Sequence, residues 1–139
     1  MAEEEKRDLW FWILAVFAAS NAANAVWMLV APAHWYRVLP AGVPDFGPFN
    51  EHFVRDIGVV FLMMAIALAW AAAAPARRVT IVAVVSLFYV LHAALHVFDT
   101  ARGFVGPEHW GLDAGGIYLP ALLMVAVTWA LARGEGRHG

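Results

Sequence analysis

His92, His96 and Asp99 recur four and three residues apart in a very apolar stretch. That spacing stacks side chains on one face of a helix. His52 and Asp56 repeat the pattern upstream, with Arg55 between them. Ionisable groups at the edge of hydrocarbon are costly to place, so they usually mark a site. Together the two stripes offer three imidazoles and two carboxylates. Such a nitrogen/oxygen set suits Zn²⁺, Fe²⁺, Mn²⁺ or Cu²⁺ better than Ca²⁺ or Cu⁺. The expected metal ligands are therefore His52, Asp56, His92, His96 and Asp99. Histidines and carboxylates on facing helices are how helical bundles build metal centres.

Two other readings compete. His52 and His96 could ligate a b-type haem, although only Gly58, Ala93 and Ala94 leave room for one. The cluster could also be structural, with Asp56 paired to Arg55 or Arg102 and Asp99 capping its helix. Asn21 and Asn24 in the first apolar run read as interhelical hydrogen-bonding groups, or as donors to the cluster. Glu108, His109 and Asp113 read as solvated loop residues within reach as exchangeable ligands. His34 and His138 have no evident partner. Met63 and Met64 read as core filler.

The elements that must position these groups are four apolar runs, near residues 9–30, 54–74, 79–98 and 116–132. The chain of 139 residues is 63% hydrophobic and 14% charged, with a mean hydropathy of +0.67. A soluble domain carries roughly 25% charged residues. Runs of about 20 apolar residues span a bilayer. The expected fold is an all-α integral membrane four-helix bundle, a single domain with up-down antiparallel topology. The first run is read as an uncleaved helix, because the acidic Glu3, Glu4 and Glu5 precede it and apolar character continues to Val30.

Six of the nine Lys and Arg residues (Lys6, Arg7, Arg77, Arg78, Arg133, Arg137) fall on one set of loops. That bias places both termini in the cytoplasm of a plasma (inner) membrane protein. Pro75 ends the second run, and the short 75–78 link makes a hairpin of the second and third. Counting outward from it, Asp56 lies level with Val97, beside His96, and His92 lies about 6 Å deeper. The outer link 31–51 carries four prolines and cannot be one helix. It reads as a cap with a short amphipathic turn near 34–39, and Asn50 reads as the N-cap of the second long helix. The link 100–116 reads as loop, Pro120 sits in the first turn of the fourth helix, and the tail 133–139 reads as frayed.

The formal charge of −2 shows no basic excess for nucleic acid. The absence of cysteine removes disulfides and thiolate chemistry. No Walker, Rossmann, nucleophile-elbow or His-Glu-x-x-His pattern is present. Three function classes remain. One is a membrane protein that senses or delivers a transition metal. The second is an enzyme in which that metal activates water or oxygen, with Asp56 or Asp99 as general base. The third is a non-catalytic subunit of a larger membrane complex, or a homo-oligomer, with the cluster as polar glue.

Overall fold

The computed structural model describes residues 7–135. Glu3, Glu4, Glu5, Lys6, Arg137 and His138 lie outside them. Among the described residues every regular element is helical. The long helices are α1 (Leu9–Val30), α3 (Glu51–Ala73) and α4 (Arg78–Ala101). The short helix α2 (Pro32–Val38) follows α1, the short helix α5 (His109–Asp113) follows α4, and α6 (Leu119–Glu135) is the last helix of the described residues. Four stretches are long and apolar enough to cross a membrane: α1, α3, residues 75–101 and residues 109–134.

Local chemistry sets the helix ends. Asp8 accepts from the Phe11 amide at 2.8 Å and Asn50 from the Phe53 amide at 3.1 Å. These caps satisfy donors that have no partner inside the helix. After Ala73 a single 3₁₀ turn, Pro75–Arg77, leads into α4. The carbonyls left at the end of α3 are taken by Arg78, only 6% exposed. Its Nε donates to Ala71 O at 3.1 Å and its Nη2 to Ala72 O at 3.0 Å, while Nη1 reaches Asp8. Capping by a buried guanidinium thus joins the ends of α1, α3 and α4.

The fourth span starts earlier than its sequence suggests. Residues 109–113 are helical, and a π turn, Ala114–Tyr118, carries the chain into α6 without a break. A π turn inserts one extra residue into the helix, which turns all that follows by about 100°. His109 and Asp113 are buried, as are Ala121, Met124 and Leu131 farther along the same span. Pro120 lacks an amide to continue the ladder and sits just after the widened turn. Helix α6 also runs on through Arg133 and Gly134, past the point where the sequence predicts fraying.

The helices associate chiefly as α1 with α3 and α4 with α6, with a smaller α3–α4 contact. Close approach of α1 and α3 rests on Gly58, where a Cβ would lie 3.0 Å from Met28 Cβ and 3.2 Å from Leu29 Cγ. Small residues let backbones approach where hydrocarbon provides no hydrophobic drive. Leu14, Leu68, Val82 and Met124, none of them exposed, form the centre of the core. Ser86 Oγ donates to Val82 O or Met124 O and pairs with Thr128 Oγ1 at 2.7 Å, joining α4 to α6. The Tyr89 hydroxyl donates to Asn21 Oδ1 at 2.8 Å, joining α4 to α1.

Two measurements check this packing. Gly58→Leu forces several atoms into a filled contact and is expected to cost about 1–3 kcal/mol; thermal unfolding in lipid or detergent reads it, with Gly111→Ala, which meets nothing within 4 Å, as the control. The Arg78 guanidinium hydrogen-bonded to Asp8 holds that carboxyl below the usual carboxylate range, against a smaller opposing effect of desolvation. A depressed native pKa contributes stability above the unfolded value and loses it as pH falls through the native one. Asp8→Asn is therefore expected to lower the unfolding temperature near neutrality, with the deficit closing below about pH 4.

Candidate functional site

The interior stripe of α4 carries its two histidines inward, as their spacing predicts. His92 and His96 are half-buried, on the same side as Val82, Val85 and Tyr89. Their rings meet edge to face at 4.7 Å, and His92 stacks on Phe88 at 5.5 Å. The partners that approach them are not the expected ones.

His96 Nδ1 lies 2.8 Å from Asp113 Oδ2. Asp113 Oδ1 lies 3.6 Å from His109 Nδ1. His109 Nε2 lies 3.1 Å from Asp45 Oδ2. Asp113 and His109 are both fully buried, whereas the Asp45 side chain is 55% exposed. Side chains from three separate segments thus form a chain from solvent inward: Asp45, His109, Asp113, His96 and, by ring contact, His92. The 3₁₀ turn Val43–Phe46 closes over it. Phe46 presents its ring edgewise to His96 and to His109, each at 4.9 Å. Its surroundings also include an apolar cavity of about 280 Å³, lined by Met28, Tyr36, Pro48 and Ile57 among others.

The proton inventory of this chain is constrained. An ionised carboxylate only accepts. Asp113 Oδ2 therefore takes the Nδ1 proton of His96, and Asp45 takes the Nε2 proton of His109. That leaves His109 Nδ1 and Asp113 Oδ1, both buried and both without a hydrogen-bond partner. Two lone pairs facing each other out of reach of water repel. A proton carried by either atom relieves the repulsion and offsets the cost of the buried carboxylate. The Tyr118 hydroxyl, near Thr100, is also buried without a well-formed bond.

The other expected ligands lie elsewhere. His52 and Asp56 face each other at 3.4 Å with side chains 88% and 60% exposed. The buried residues of α3 include Val54, Gly58, Ala65, Leu68 and Ala72, and at about 100° per residue His52 and Asp56 fall on the opposite side. The tight Gly58 contact with α1 fixes that rotation. Val59 and Met63, which continue the polar stripe, are 55% and 62% exposed. Asp99 is claimed by Arg102, at 2.8 Å. Among the described residues no group of three or more His, Asp or Glu is arranged to hold a metal ion. The five-ligand centre expected from sequence is not assembled.

Several secondary expectations are also revised. His109 and Asp113, read as solvated, are the most deeply buried polar groups of the site. His34 does have a partner, since its Nδ1 accepts from Trp27 Nε1 at 2.9 Å. Asn24 accepts from Trp35 Nε1 at 2.9 Å and anchors α2 rather than serving the cluster. Arg55 pairs with Glu51, one of the partners its position suggests, rather than with Asp56, and donates to Leu29 O. The signal that could have revealed His109 and Asp113 was their four-residue spacing beside Trp110 and Leu112.

Gly42 holds the closing turn in place. Its φ of 61° lies in the left-handed region, and a Cβ there would come within 3.0 Å of both Asp45 Oδ2 and His109 Cε1. Compared with protein-family models, with curated proteins and with solved structures, the chain matches none. Gly42→Ala is expected to cost about 1–2 kcal/mol in backbone strain and to push Asp45 from His109. Faster amide hydrogen exchange across 43–46, with α1 and α3 unchanged, checks this.

Proposed function

We propose that this small membrane protein takes up protons at one face and relays them inward along Asp45, His109, Asp113, His96 and His92. The observation that carries the reading is the buried pair His109 Nδ1 and Asp113 Oδ1, 3.6 Å apart and otherwise unpartnered. It is a place that calls for one proton, flanked by hydrogen bonds that could deliver or remove it. Chains of Asp and His within membrane-spanning segments are a recurrent means of moving protons. A π turn beside the pair fits as well, because such turns cluster at functional sites. Deeper than His92, the interior of α4 turns to the Tyr89–Asn21 and Ser86–Thr128 contacts and then to the apolar core. That arrangement favours a proton-binding or proton-donating role at one face over a full transmembrane path. The positive-charge bias puts this face outside the cytoplasm of the plasma membrane, with both termini inside and the four spans running up and down.

A transition-metal reading retains one supporting observation. His92 and His96 lie one turn apart with rings in contact, and a carboxylate on His96 Nδ1 is the usual orienting partner of a metal-bound imidazole. Zn, Fe, Mn or Cu would then be held by the free nitrogens of this pair. His52, the haem partner expected for His96, is turned outward.

The two readings separate by measurement. In protein with ¹⁵N-labelled histidine in a lipid bilayer, Asp113→Asn is expected to slow exchange of the His96 and His92 ring protons with water on the order of a hundredfold. His34 and His52 should not change. Unaltered exchange at His96 and His92 would leave the network as structural glue, as in an accessory subunit of a larger complex. Stoichiometric metal in the purified protein, lost in His92→Ala/His96→Ala, would favour the metal instead.

A further inference from the structure

The outward face of α3 does not look like a surface made only for lipid. His52, Asp56, Val59, Met63, Ile66 and Trp70 follow one another at intervals of four, three, four, three and four. That is the 3.5-residue repeat that packs one helix along another in a left-handed pair. All six are exposed, from 52% at Trp70 to 88% for the His52 side chain. The stripe is about 27 Å long at ~1.5 Å per residue, close to the thickness of the hydrocarbon core. Among the described residues, the only polar partner of His52 is Asp56, and the reverse holds. Ionisable groups in membrane spans almost always face protein or a water-filled cavity. Here they face away from the protein's own interior.

We infer that α3 pairs with α3 of a second copy of this chain through the stripe His52, Asp56, Val59, Met63, Ile66 and Trp70. The charge pattern selects the partner. One stripe carries both a carboxylate and an imidazole, one turn apart, so it is complementary to itself. A two-fold contact places the same patch on both subunits. The four groups then close a ring in which each carboxylate lies between two imidazoles, one from each copy. Below that ring the apolar positions of the repeat interlock down to Trp70. The opposite side of α3 is already committed to α1 through Gly58, so both faces of the helix are used. This inference is independent of the proton relay, whose residues lie on other elements.

The chain contains no cysteine, which makes disulfide mapping direct. Single variants Val59→Cys, Met63→Cys and Ile66→Cys of the full chain are oxidised in the membranes of the expressing cells. Leu122→Cys on α6, 69% exposed, is the control. Cross-links at the mass of two chains are expected for the three α3 positions and not for position 122. Adding Asp56→Ala to Met63→Cys should weaken the dimer roughly 3- to 30-fold, the range for polar contacts between membrane helices, while Asp56→Glu should retain it. Equal cross-linking at position 122, absence of cross-links, adducts with a different protein, or a yield indifferent to Asp56→Ala would each overturn the proposal.

Discussion

A carboxylate with no exposed surface has to be neutralised where it sits, and Asp113 imposes that condition on the whole capped end of the bundle. Burial of an isolated charge costs far more than any single contact returns, so imidazoles must converge on it from different elements. His96 comes from α4 and His109 from α5. Asp45 then holds the far nitrogen of His109, which ties the 43–46 turn to the fourth span. The cap is thus ordered by the same interactions that enclose the buried His109 and Asp113 side chains. Structure and chemistry share one set of hydrogen bonds, so the site cannot be loosened without loosening the fold around it.

Packing elsewhere follows from where the small residues lie. Gly58 and the alanines of α1 and α3 draw those helices together and fix the rotation of α3. That rotation decides the fate of every polar group on it. Val54 and Gly58 turn inward, so His52 and Asp56 turn outward, away from the histidines of α4. Arg78 closes the other end by capping α3 and meeting Asp8. The two polar ends differ in kind. One is a guanidinium satisfying carbonyls, with no buried side-chain group left over among the described residues. The other leaves His109 Nδ1 and Asp113 Oδ1 unpaired.

Half of the site was readable in advance. The four-residue spacing of His92 and His96 on an apolar helix admits few arrangements other than inward, because lipid disfavours imidazole on the opposite face. His109 and Asp113 were hidden by their surroundings. Gly103, Gly106, Pro107 and Gly111 give the segment the composition of a loop, and Gly115 and Gly116 extend that impression. The π turn Ala114–Tyr118 also separates them from the regular helix that follows.

The sequence by itself determined that the chain is helical, that four stretches can span a bilayer, and where Asn50 and Pro75 begin and end helices. Each of these depends on local propensity and on runs of apolar side chains, which one strand of chain encodes alone. Only the tertiary structure decided which polar groups meet. That choice rests on helix rotation, set at Gly58 by a close backbone approach, and on the packing of residues 109–113 against α4. Rotations of this kind depend on shape complementarity between elements distant in sequence. A residue's type and spacing name its possible partners, and the packing of its helix selects among them.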